Sequence, residues 1–201
     1  LLLEILEVHG YDLDKFLEAW KQLFSDYSGY VDRASKATLE NLEAGKSPPG
    51  SDSEDFSVVG RIAPLLRVAG DVEDFVEKSR AVTALTHHSE ACLMASEYFA
   101  RVTWAVLEGA PVLEALKQTL HVLPENLQKL GGQAIVDDRD SLKAALDYGL
   151  ACSVEQCLPV TLQVLAHSSS LESAMDKTIR SGGDNAARAS VVGMVLGASG
   201  N

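Results

Sequence analysis

Apolar residues recur at three- and four-residue spacing through most of the chain, which is the pattern of amphipathic helices. The first such stretch contains Leu2, Ile5 and Leu6, and a second runs from Leu13 to Leu23. No segment alternates between apolar and polar residues for long enough to predict a β-strand. The pattern therefore predicts an all-α protein.

The same periodicity predicts further helices over about 31–42, 58–68, 71–85, 89–107, 111–122, 140–148, 153–166, 170–179 and 185–198. Asp71 and Asp140 stand where a carboxylate can cap the first turn of a helix. The last helix is apolar all round, which predicts a place at the centre of the core. Residues 45–55, rich in Ser, Pro and Gly, are predicted to form a surface loop. The chain length predicts a single domain over 1–201.

The charge balance is strongly acidic, with 17 Lys and Arg against 29 Asp and Glu and a net charge of −12. Binding a nucleic-acid polymer or an anionic membrane surface requires clustered basic residues, so neither is expected as a partner. The three cysteines, Cys92, Cys152 and Cys157, do not have the spacing of a disulfide framework or a zinc site. This favours a reducing compartment, and we expect a cytoplasmic protein.

A glycine pair precedes the last predicted helix, in the sequence Gly182-Gly183-Asp184-Asn185. A helix start of this kind brings free N–H groups and a carboxylate together, so it can hold an anion on its amides or a cation on the carboxylate. In the alternative, the glycines end one helix and Asp184 caps the next.

A second candidate is the histidine pair in Thr86-His87-His88-Ser89. A histidine at a helix start can hydrogen-bond a phosphate or hydroxyl of a substrate, or coordinate a metal. Neighbouring helical positions point about 100° apart, so both histidines cannot face one site. A capping or core role is the alternative.

Four segments, taken in order, carry a family resemblance: Gly60-Arg61-Ile62-Ala63-Pro64-Leu65-Leu66, Thr86-His87, Cys152 with Leu158-Pro159, and Gly182-Gly183-Asp184 with the small-residue helix after it. Their order and spacing resemble the ADP-ribosylglycohydrolase family (dinitrogenase-reductase-activating glycohydrolase-like), and most closely its J-crystallin-like branch. The resemblance extends over nearly the whole chain. It implies an orthogonal all-α helical bundle, in agreement with the periodicity.

The resemblance implies Mg²⁺-dependent hydrolysis of the glycosidic bond between ADP-ribose and a protein side chain or small molecule. In the family, one group of metal ligands comes from a Thr-Asp-Asp-Thr-like motif near the N-terminus and another from a Gly-Gly-Asp-Thr-Asp-Thr motif. Asp184 matches the first Asp of the second motif and is the expected metal ligand. Asn185, Ala186 and Ala187 replace the Thr, Asp and ligand Thr that follow, so we expect an incomplete metal site. The N-terminal motif is expected to lie immediately before Leu1, which implies that the N-terminal part of the bundle is missing.

By the same resemblance, ADP-ribose or an ADP-ribosylated protein or small molecule is the expected ligand. The expected substrate-binding residues are His87, Gly182, Gly183, Asn185 and Arg188. No catalytic residue is assigned in this chain, because the general base is expected in the N-terminal motif. The alternative function is that of a non-catalytic, crystallin-like structural or ligand-binding protein.

Overall fold

The computed structural model describes residues 1–200, and these residues contain helices but no β-strand, which confirms the all-α prediction. The α-helices are α1 (Leu2–His9), α2 (Leu13–Gln22), α3 (Arg33–Glu43), α4 (Val72–Ala84), α5 (Glu90–Leu107), α6 (Val112–Thr119), α7 (Glu125–Val136), α8 (Ser141–Tyr148), α9 (Val154–Ala166), α10 (Leu171–Arg180) and α11 (Asn185–Ala198). Two 3₁₀ helices span Phe56–Arg67 and Leu120–Val122.

Helix α11 lies at the centre of the core, as its apolar sequence predicts. It packs against α5, α9, α10 and the 3₁₀ helix Phe56–Arg67. Val191, Val192 and Val195 are completely buried. A helix with apolar residues on every face gains from burial all round its circumference, and contact with four elements provides that burial.

Two of the predicted N-caps are present. Asp71 accepts a hydrogen bond from the N–H of Asp74 at 2.8 Å, and Asp140 accepts one from the N–H of Leu142 at 3.1 Å. Each carboxylate satisfies an N–H group that has no partner within its helix, which fixes where α4 and α8 begin.

The helix expected over 58–68 is a 3₁₀ helix, Phe56–Arg67, and not an α-helix. Pro64 lies inside it, and proline removes a donor that a regular α-helix needs. Gly60 packs on α11, where a Cβ would lie 2.2 Å from the hydroxyl oxygen of Ser190. The close approach to α11 and the proline together account for the tighter backbone.

Helix α7 was not predicted, because Gly131 and Gly132 interrupt its apolar pattern. A glycine costs about 1 kcal/mol relative to alanine inside a helix. Gly131 is nevertheless buried, and a Cβ there would lie 2.9 Å from Leu120 and 3.0 Å from Leu162. Tertiary packing at this position requires the absence of a side chain, which outweighs the local propensity.

Within the part of the chain that the structure describes, no helix combines the length and the apolar character needed to cross a membrane.

Candidate functional site

The segment expected to be a surface loop, 45–55, is exposed at residues 45–48 and again at Asp52 and Glu54. Pro49 and Ser51 are buried, so the segment does not lie at the surface over its whole length. The N–H of Ser51 donates to the carbonyl of Thr86 at 3.0 Å, and the N–H of His88 donates to the carbonyl of Ser51 at 2.7 Å. These two backbone hydrogen bonds fix the segment against the start of the histidine motif.

The same segment is also bound at its other end. The N–H of Phe56 donates to the carbonyl of Cys152 at 2.8 Å, and the N–H of Val154 donates to the carbonyl of Glu54 at 2.9 Å. The backbone of 51–56 therefore connects the histidine motif to the start of α9. Residues 51–56 thus join Thr86-His87 to Cys152, two of the segments that carry the family resemblance.

A groove of about 500 Å³ opens beside this connecting segment. We call it the acidic groove. It is lined by Tyr30, Asp32, Arg33, Ala34, Asp52, Ser53, Glu54, Asp55, Cys152 and Ser153. Four of these side chains are carboxylates and one is a cation. That cation, Arg33, lies 3.8 Å from a carboxylate oxygen of Asp52, and both side chains are exposed.

Three residues form a hydrogen-bonded chain next to the groove, and we call them the His87 corner. Arg61 donates from Nη1 to the hydroxyl oxygen of Thr86 at 2.6 Å, and that oxygen lies 3.0 Å from Nδ1 of His87. His87 is 6 % exposed, and its Nε2 is buried without a hydrogen-bond partner among residues 1–200. A buried polar atom without a partner is uncommon in a folded protein and indicates a place for a ligand or water.

The surroundings of His87 keep its ring uncharged at neutral pH. Burial, and then the positive charge of Arg61, lower the pKa of His87 to about 4. Asp55 and Asp32, which line the acidic groove, act in the opposite direction. Burial also lowers the pKa of Arg61 to about 10, so Arg61 remains charged at neutral pH. The corner therefore combines a neutral imidazole with a fixed positive charge.

The carboxylate of Asp184 caps α11. It accepts a hydrogen bond from the N–H of Ala187 at 3.3 Å, and the N–H of Asp184 donates to the carbonyl of Leu150 at 3.1 Å. Burial, and then the negative charges of Asp55 and Asp184, raise the pKa of the Cys152 thiol, which lines the groove.

The two glycines before Asp184 adopt left-handed backbone conformations, with φ values of +67° at Gly182 and +61° at Gly183. The N–H of Gly182 donates to the carbonyl of Ile179 at 3.2 Å, which closes the end of α10. A Cβ at Gly183 would lie 2.4 Å from the carbonyl oxygen of Leu150. The 182–184 turn thus makes the contacts of the structural alternative, in which glycines end one helix and Asp184 begins the next.

Arg188 is fully buried and donates from Nη2 to the carbonyl of Gly182, while its Nε and Nη1 have no hydrogen-bond partner in the described chain. Asn185 is partly buried, and its amide lies 3.5 Å from the carbonyl of Ile179. Substrate binding by these two residues stays a prediction.

The side chains of this chain do not fit the magnesium centre that the resemblance implies. Among residues 1–200, no three His, Cys, Asp or Glu side chains are grouped so that they could hold a metal ion. Ala186 and Ala187 carry methyl groups where the resemblance expects metal ligands. Asp184 would be left as a single ligand, whereas Mg²⁺ prefers six oxygen ligands in octahedral geometry.

His87 is a predicted ligand-binding residue, whereas its partners Arg61 and Thr86 stand within the segments that carry the family resemblance without any role expected for them. Arg61 is the one charge between Phe56 and Leu66, and an isolated charge in an apolar helix is a signal that could have identified it. Nothing in the sequence indicated that Asp32 and Asp55 would act on the same histidine.

Comparison with known proteins agrees with the family resemblance. The family model for ADP-ribosylglycohydrolase matches residues 1–200. Crystallin J1A of Tripedalia cystophora is 24 % identical over 213 residues, and Crystallin J1B of the same organism is 22 % identical. Each alignment covers 96 % of this chain but 65 % of the relative, so the chain spans slightly less than two thirds of the length of these proteins.

A solved structure described as "ADP-ribosylglycohydrolase-related protein complex" has the same fold. It superposes with a TM-score of 0.71 at 22 % identity, covering 98 % of this chain and 67 % of the other. The family match over residues 1–200, together with this fold, establishes that the chain belongs to the ADP-ribosylglycohydrolase family.

Proposed function

We propose that the protein binds an ADP-ribosyl group at the His87 corner and the adjoining acidic groove. Family membership supports the ligand class, and the observation that carries the proposal is the buried, unpartnered Nε2 of His87. ADP-ribose offers many oxygen atoms that could complete this hydrogen bond. The ligand could be free ADP-ribose or ADP-ribose attached to a protein or small molecule.

The charges of the groove determine how such a ligand would lie. A diphosphate next to four carboxylates would be repelled, whereas ribose hydroxyls can donate hydrogen bonds to them. We therefore expect the ribose to face Asp32 and Asp55. The diphosphate would then lie toward Arg33 and solvent, where salt screens its charge.

We do not assign hydrolysis to the residues of this chain. Cleavage of a glycosidic bond needs a water that is activated by a general base or by a metal ion. The alanines at 186 and 187 can serve neither purpose, and Asp184 would be a single carboxylate with one oxygen already accepting the N–H of Ala187. Recognition without efficient turnover is the function that these side chains support best.

A second candidate is a crystallin-like structural role. Two curated relatives are named crystallins, and the 182–184 turn is held by contacts that serve the fold. Under this alternative the acidic groove would not bind ADP-ribose.

Calorimetric titration of ADP-ribose into the protein at neutral pH, with and without Mg²⁺, distinguishes the two candidates. We expect binding that does not require Mg²⁺ and is weakened about tenfold or more in His87→Leu, the effect of losing one hydrogen bond in a desolvated site. The matched control is His88→Leu, because His88 is the exposed neighbour of His87. No binding by a folded wild-type protein would favour the crystallin-like role.

A further inference from the structure

The hydroxyl of Thr86 lies between two nitrogen atoms in the core. Thr86 is 1 % exposed, and its oxygen is 2.6 Å from Nη1 of Arg61 and 3.0 Å from Nδ1 of His87. A guanidinium can only donate hydrogen bonds, so the Thr86 oxygen accepts from Arg61. In the hydrogen bond to His87, either the Thr86 hydroxyl or the His87 Nδ1 can be the donor.

Two arrangements are possible for that hydrogen bond. If Nδ1 of His87 carried the proton and donated to Thr86, the hydroxyl hydrogen of Thr86 would be buried without an acceptor. If Thr86 donates to Nδ1, the hydroxyl hydrogen has an acceptor, and the Nε2–H of His87 is the one buried group of these residues without a partner in the described chain. Burying an unpaired hydroxyl donor is costly, so the second arrangement is favoured.

We infer that Arg61 and Thr86 hold His87 as the neutral tautomer that carries its proton on Nε2, so that His87 offers a hydrogen-bond donor to an oxygen of its ligand. The identity of that ligand as ADP-ribose rests on the proposed function. The tautomer itself does not, because it follows from contacts within the protein. Arg61 and Thr86 are positioning residues in this account.

The charges around the ring support the neutral form. Arg61 belongs to the 3₁₀ helix Phe56–Arg67, Asp55 precedes that helix and Asp32 precedes α3; these are the charged groups that act on His87. Burial, together with the positive charge of Arg61, outweighs the two carboxylates, so the pKa of His87 is lowered. Protonation of Nδ1 would also place two donors against one hydroxyl.

This arrangement gives the site a chemical preference. An Nε2–H group pairs with a ribose hydroxyl oxygen, a carbonyl or a phosphate oxygen. It cannot pair with a group that only donates, such as an ammonium or a guanidinium. The corner therefore selects for oxygen-rich ligands even though the surrounding groove is acidic.

The test is a nitrogen NMR spectrum of the histidine rings in protein labelled with ¹⁵N-histidine. The His87 signals are assigned by their loss in His87→Gln. At neutral pH we expect an unprotonated Nδ1 and a protonated Nε2. Thr86→Val removes the hydroxyl donor and should move both ring-nitrogen signals toward a mixture of tautomers, whereas Thr86→Ser keeps the hydroxyl and should restore the wild-type pattern. Arg61→Met should raise the pH at which His87 titrates.

A protonated Nδ1 in the wild type, or ring signals that Thr86→Val leaves unchanged, would overturn the inference. If Thr86→Val does not fold, as judged by its helical circular dichroism, the wild-type spectrum alone decides. Affinity for ADP-ribose separates the two proposals: we expect Thr86→Val to bind about tenfold more weakly and Thr86→Ser to stay within about twofold. The expected tautomer in a protein that does not bind ADP-ribose would uphold this inference and refute the proposed function.

Discussion

The His87 corner and the 182–184 turn have similar sequence signals but different roles in the structure. Each places polar groups at the start of a helix, where a ligand could be held. At the turn, the Asp184 carboxylate and the Gly182 N–H are both used in helix ends. At the corner, the Nε2 of His87 has no partner within residues 1–200. A polar motif is directed toward a ligand only where the fold leaves one of its groups unpaired.

Arg188 allows a further comparison between the turn and the corner. Arg188, beside the turn, also keeps unpartnered nitrogens, but it is fully buried, whereas His87 retains 6 % of its surface. His87 also interacts with Asp55 and Asp32, two carboxylates of the acidic groove. The corner is therefore the better place for recognition.

The largest expected effect concerns the structural role of the turn. In Gly183→Ala, the new Cβ would stand on a left-handed backbone and clash with Leu150. We therefore expect a loss of about 3 kcal/mol in the free energy of unfolding. Gly182→Ala is the matched control, because its Cβ would have no atom within 4 Å. It should lose about 1 kcal/mol, from backbone strain alone. Urea unfolding measures both, and equal losses would show that the contact with Leu150 is unimportant.

The next effect concerns the corner and is seen as a pH dependence. The folded pKa of His87 is about 4 and the unfolded value is 6.5, so the unfolded chain takes up this proton first as the pH falls. Stability contributed by the neutral ring is complete above about pH 6.5 and is lost on acidification toward pH 4. We expect a loss of about 1.5 kcal/mol between pH 6.5 and pH 5. Unfolding of His87→Gln should lack this component, and His88→Gln should retain it; the same slope in both variants would contradict the burial of a neutral His87.

A smaller effect distinguishes capping by Asp184 from a role of its charge. Asp184→Ala should lower the free energy of unfolding by about 1 kcal/mol, because the N–H of Ala187 loses its acceptor. Asp184→Asn keeps a side-chain oxygen and should cost a few tenths of a kcal/mol at most. Thermal unfolding in the presence of a metal chelator gives both values. Equal losses in the two variants would mean that the negative charge, and not the cap, is what stabilises the turn.

Most of the fold could be predicted from sequence because helix formation depends on the local spacing of apolar residues and on capping residues. The central position of α11 follows from its apolar faces, and the starts of α4 and α8 follow from Asp71 and Asp140. Helix α7 is not predicted because Gly131 disfavours a helix locally, while the close contact with α9 leaves no room for a side chain at this position.

The site was only partly predictable because its contacts join distant parts of the chain. Arg61 and Thr86 are 25 positions apart, and Ser51 pairs with Thr86 across 35 positions. Local patterns carry no information about such pairings. The composition of residues 45–55 therefore predicts an exposed loop, although Pro49 and Ser51 are buried and Ser51 is hydrogen-bonded to the histidine motif.

The most direct test compares the affinity for ADP-ribose of His87→Leu and Asp184→Asn, each measured by calorimetry with and without Mg²⁺. We expect His87→Leu to weaken binding about tenfold or more in both conditions, while Asp184→Asn stays within about twofold of the wild type. Binding that requires Mg²⁺ and is abolished by Asp184→Asn, but is unaffected by His87→Leu, would contradict recognition at the His87 corner. That result would place ligand recognition at the turn and leave the corner as part of the core.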